Sequence, residues 1–182
     1  MSSSLQALIE DSRQGLTLME SDALADWHDT PALAQALRQY IEAHPDHESF
    51  HCLFALRRSD EPLYDEVLAD TRARVLTAAL GHVRFLNDWG VLDVDGCDDG
   101  EAGLALIALS VAALPALRPC LDDDRPAPLF GSEEATLSAL HRYRRKDFAY
   151  RVVARILQMP FRFDPRPADR DRHIERLKAE LA

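Results

Sequence analysis

Lysine is absent from residues 1–140, and cysteine occurs only at Cys52, Cys97 and Cys120, with no CxxC spacing. An odd number of scattered thiols excludes a disulfide scaffold and a paired-cysteine zinc site; at most one disulfide pair could form. The opening MSSSLQALIEDSR carries acidic residues early and has no apolar core, so no secretory signal is expected and the predicted location is cytoplasmic. The one long uncharged run, Gly103 to Leu117, spans 15 residues with Pro115 near its end. A bilayer needs roughly 20, so no membrane span is predicted. Nor does any stretch alternate as a strand would, and no glycine-rich phosphate loop, G-x-S-x-G turn or internal repeat is present.

What remains is helical patterning in a chain of 182 residues, 47% hydrophobic and 29% charged. That composition is globular, and the length suits a single domain over 1–182 with one substantial core. Gly103–Leu117, GLALIALSVAALPAL, has Ser110 as its only polar side chain. A helix apolar on every side needs cover on every side, so residues about 99–114 are predicted to be a buried central helix. Leu106, Ile107, Leu109 and Leu114 are its expected core residues. Asp98 and Glu101 have capping-box spacing at its start, and Pro115 and Pro119 mark its end.

Around it the periodicity predicts a helix from Ser3 to about Leu18, a short one over Ser21–Trp27, and one capped by Thr30 with Pro31 at its first position. Asp46 caps the next, burying Phe50, Leu53 and Phe54. A long helix follows from Asp60 and Pro62 to Asn87, then a second from Ser132 to Met159, and a last from Ala168 to Leu181. The fold class is therefore all-α, a compact single-domain bundle of about six to eight helices.

Three segments invite chemistry. His47-Glu48-Ser49-Phe50-His51 fits H-E-x-x-H, where two histidines one turn apart bind zinc and the glutamate activates water. Over those five residues the chain resembles the zincin metallopeptidases. The resemblance implies a zinc-dependent hydrolase, but Pro45 stands just upstream, no sheet is predicted, and no third ligand is marked. A solvated helix start without metal is the expected reading. Asp93–Glu101 is rich in aspartate and glycine, yet neither EF-hand frame has glutamate at its twelfth position, so an Asx-rich turn is expected.

The third segment is basic. Residues 1–140 hold 9 arginines against 25 acidic residues, net −16, whereas 141–182 hold 12 basic against 6 acidic, net +6. Arg142, Arg144, Arg145, Arg151 and Arg155 lie among Tyr143, Phe148 and Tyr150, a pattern that can bind nucleic acid. An overall charge of −10 opposes a polyanion. The face 142–155 is thus expected to meet acidic residues of its own chain or of a protein partner. The composite reading is a non-enzymatic cytoplasmic protein-binding module acting through surface charge, an antitoxin- or immunity-type inhibitor or an adaptor, with no cofactor and no metal. The alternative is the hydrolase built on His47, Glu48 and His51.

Overall fold

The computed structural model describes residues 2–28, 30–82, 88–90, 92, 99–127 and 132–181. Eleven α-helices are present among them; no strand forms, and one isolated antiparallel bridge joins Pro126 to Arg144. The fold is all-α. Contacts cluster into two compact units, Met1–Val83 and Arg84–Ala182.

In the first unit, α1 (Ser3–Gln14) is capped by the Ser2 hydroxyl, which accepts from the Leu5 N–H. It stops short of the expected Leu18 because Gly15 adopts φ 69°, and its N–H turns back to the carbonyls of Asp11 and Ser12. Ser21 caps α2 (Asp22–Ala25), and Thr30 caps α3 (Pro31–Ala43). Asp46 accepts from the Glu48 N–H and opens a single 3-10 turn, His47–Ser49, which leads into α4 (Phe50–Ser59). The expected helix over 60–87 is divided into α5 (Glu61–Glu66) and α6 (Ala69–Ala79). Val67 and Leu68 between them are extended, with neither glycine nor proline to mark the break. Residues 83–87, the expected end of that helix, lie outside the described residues. Every residue of α4 from Phe50 to Leu56 is buried, because α1, α2, α3, α5 and α6 all pack against it.

The second unit holds α7 (Glu101–Ala108), a 3-10 turn over Ser110–Ala113, α8 (Leu114–Leu117) and another 3-10 turn over Arg118–Asp122. Beyond these come α9 (Ser132–His141), α10 (Arg145–Ile156) and α11 (Pro167–Glu180). The helix expected over 99–114 therefore ends at Ala108, and the pieces on either side of Leu109 diverge by 107°. Pro115 has no N–H to offer the Val111 carbonyl, and Pro119 none for Pro115, so a continuous α-helix here loses two bonds one turn apart. Ser110 takes up the bend at φ 53°. Asp98, expected to cap this helix, lies outside the described residues, and Gly100 at φ 68° occupies the N-cap. Gly103 is the closely packed glycine here: a Cβ would meet the Trp89 carbonyl oxygen at 3.3 Å.

The expected helix over 132–159 is likewise two helices. Arg142 has φ 52°, and the Arg144 N–H turns to the Asp147 carboxylate at 2.9 Å, which starts α10 afresh. Leu140 is exposed at the end of α9. Residues 146–154 of α10 are all buried, so each unit is built round one enclosed helix. These three breaks raise the number of helices from the expected six to eight to eleven.

Candidate functional site

The H-E-x-x-H segment is split between a 3-10 turn and a helix, and its side chains separate accordingly. His51 is wholly buried, its Nδ1 2.9 Å from the Ser12 hydroxyl and its Nε2 3.3 Å from the Thr17 carbonyl oxygen. A carbonyl only accepts, so Nε2 carries the proton and Nδ1 takes a hydrogen bond from Ser12. Both nitrogens are committed. His47 stacks on His82 with ring centroids 3.7 Å apart. Glu48 accepts from Arg13 at 2.9 Å, which holds its carboxyl below the ordinary carboxylate range, and it also accepts from Tyr40. Among the described residues no three His, Cys, Asp or Glu side chains are placed to share a metal ion.

Burial lowers the His51 pKa below its ordinary 6.5, against the opposing hydrogen bond to Thr17. Above pH 6.5 the folded and unfolded chains both keep this ring neutral. Below it the unfolded chain binds a proton that the folded chain resists, so the stability contributed by His51 is lost as pH falls. The slope from one such group is at most about 1.4 kcal/mol per pH unit. Urea titrations at pH 7.5 and 5.5 should show a loss that His51→Gln reduces. Equal losses in both proteins would remove His51 as the cause.

The calcium-like loop lies mainly outside the described residues, since 93–98 are not described. Its last aspartate, Asp99, is buried and meets Arg151 at 2.8 Å and Arg155 at 3.0 Å. The remaining basic residues of α10 are engaged in the same way. Arg144 reaches Asp124, Asp147 and Asp171 at 2.8–3.1 Å, Arg145 reaches Asp123 at 3.5 Å, and Lys146 reaches Asp124 and Asp171. Burial alone would raise the Asp171 carboxyl, but Lys146 and Arg144 hold it below its ordinary value. Arg144, Arg145, Arg151 and Arg155 thus face acidic residues of their own chain, whereas Arg142 is exposed and has no ion pair among the described residues.

Between residues 104 and 115 a series of apolar side chains stays open to solvent. Leu104 is 48% exposed and Val111 66% exposed, and Ala108, Ala112 and Pro115 are exposed beside them in sequence. Ile107, Leu109 and Leu114, expected to be nearly inaccessible, are half-buried; Leu106 alone of the four is enclosed. Leu104 and Ala108 share one side of α7 by their i, i+4 spacing, and Val111, Ala112 and Pro115 are exposed on the next piece, beyond the 107° bend. The buried side is made by Ala102, Gly103, Ala105 and Leu106, then Ala113 and Leu117. One-sided cover of an uncharged segment leaves leucine and valine in water, which monomeric surfaces generally do singly rather than in a series. The sequence contained the apolar run but not the side that stays bare. Among the described residues no single helix is long and apolar enough to cross a membrane. No protein-family profile, curated protein or solved structure matches the chain.

Proposed function

We propose that this chain is a non-enzymatic binding module that docks on a basic protein partner through the exposed side of residues 104–115. The reading that fits is an inhibitor of antitoxin or immunity type, or an adaptor, working in the cytoplasm. The observation that carries it is the exposure of Leu104 and Val111 in a stretch without one charged residue between Gly103 and Leu117. Enclosing the exposed half to two-thirds of these two side chains in an interface gains about 1–2 kcal/mol each, and apolar contact residues are typical of an interface centre. Charge chooses the partner. A net −10 repels acidic surfaces and steers basic ones, and the chain's own basic helix is already neutralised by Asp99, Asp123, Asp124 and Asp171. A membrane surface suits this face less well, because interfacial helices carry lysine and arginine beside the apolar side. Here no basic residue occurs from Glu101 to Leu117.

The test is co-purification from the native host with Leu104→Asp plus Val111→Asp as the comparison. Both side chains are exposed, so the variant should unfold within about 0.5 kcal/mol of the parent. The parent should retain one stoichiometric, basic polypeptide at low salt, and the variant should lose it. A polypeptide held equally by both, self-association in place of a heterocomplex, or no companion at all would each refute the reading.

A further inference from the structure

A second feature of the Arg84–Ala182 unit is a cleft of about 260 Å³ between α10, α11 and the segment joining them. Tyr150 and Ala154 line it from α10, and His173, Arg176 and Leu177 line it from α11. Both sets follow helical spacing, so each helix presents one face to the same space. Met159, Pro160 and Arg162 close the third side, after Gln158 has turned the chain at φ 55°.

The polar groups here are ordered. His173 Nε2 lies 2.7 Å from Asp164 Oδ2, and an ionised carboxylate only accepts, so Nε2 carries a proton and the ring is fixed. The Tyr150 and His173 rings lie nearly parallel, 3° apart with centroids separated by 6.4 Å. Tyr150 is buried, and Ala154, Met159, Pro160 and Leu177 supply apolar wall.

The charge around this cleft differs from that around α10. Arg144, Arg145, Arg151 and Arg155 are each within 3.5 Å of a carboxylate. Arg162 is 76% exposed, and its Nε lies 3.8 Å from Asp164, a carboxylate already bonded to His173. Among the described residues Arg176 has no acidic partner, though it lines the cleft. Two under-neutralised guanidinium groups beside an oriented imidazole make a local positive site in a chain of net −10.

We infer that this cleft binds a small oxyanion carried on a flat apolar body, an aryl phosphate or aryl carboxylate, with Arg162 and Arg176 on the anion and Tyr150, Met159 and Leu177 against the ring. Guanidinium forks match both oxyanions geometrically. The volume lies below the range for drug-sized ligands and limits the body to about one ring. The site is separate from the apolar docking side and does not depend on it.

Titration of the full chain with phenyl phosphate, benzoate and inorganic phosphate, followed by calorimetry and by NMR of the amides of 158–164 and 173–177, tests the inference. Phenyl phosphate or benzoate should saturate below about 1 mM and more tightly than inorganic phosphate, with shifts confined to those segments; which of the two binds better identifies the oxyanion. Arg162→Gln with Arg176→Gln should weaken binding by about tenfold or more. Arg172→Gln, an exposed arginine on α11 paired with Asp169, should leave it unchanged. All three sites are exposed, so unaltered melting curves confirm that each variant folds. No saturation by any probe at about 20 mM, or equal weakening by Arg172→Gln, would overturn the inference.

Discussion

Replacing Arg170 with methionine is expected to destabilise the Arg84–Ala182 unit by about 3–5 kcal/mol, the cost of breaking a buried ion pair together with the hydrogen bonds around it. Arg170 is 1% exposed, and its Nε lies 3.1 Å from the carboxylate of Asp147, itself 1% exposed. Its two terminal nitrogens donate to four backbone carbonyls: Nη1 to Asp164 and Pro165, Nη2 to His141 and Arg142. One side chain thereby ties the α9–α10 turn to the segment before α11. The guanidinium also lies over the Phe163 ring, 5.2 Å from its centroid. Methionine fills much of the volume but leaves those carbonyls without donors and Asp147 with Arg144 as its remaining cation. Arg170→Lys keeps the charge yet lacks the planar fork, so it should recover only part of the loss. Urea denaturation of the three proteins decides the matter. A methionine variant as stable as the parent would show that the clamp is dispensable.

Leu106→Ala and Leu104→Ala should differ sharply, although they lie two residues apart in the same helix. Leu106 is enclosed, and its truncation should cost about 2–5 kcal/mol through lost contacts and the cavity left behind. Leu104, half in water, should cost under about 0.5 kcal/mol. Thermal melts of both variants suffice. Similar large losses would mean that α7 is covered on all sides, as its composition suggested; similar small losses would mean that it is hardly covered at all.

That contrast marks how far the sequence could be read. The helix starts at Ser21, Thr30 and Asp60 were legible, because these side chains accept from backbone N–H groups three positions on; at the first helix Ser2 caps, one residue before the expected Ser3. The helical class was legible for the same local reason. Which helix is enclosed was not. Composition placed Gly103–Leu117 at the centre, yet α4 is the helix that five others surround in its unit, despite Arg57 and Arg58 in its last turn. Hydrophobicity states what gains from burial, and the supply of neighbours decides what receives it. Breaks without glycine were hidden as well: Ser110 and Arg142 take positive φ, where their residue types give little warning. The pairing of the basic helix with its own chain was legible as charge asymmetry. Its long-range partners, such as Asp99 for Arg151 and Asp171 for Lys146, required the fold. The H-E-x-x-H spacing was legible, but its division between a 3-10 turn and α4, with His51 set against the Ser12 hydroxyl, required the fold.

The claim that residues 104–115 form the docking side is tested most directly by hydrogen exchange on the complex that co-purifies with the native chain. Backbone amides of α7 and of the Ser110–Ala113 turn should exchange more slowly in the complex than in the free chain. The buried amides of α4 should be unchanged. Salt that releases the partner should restore the free-chain rates over 104–115. Protection confined to other segments, with 104–115 exchanging as in the free chain, would contradict the account.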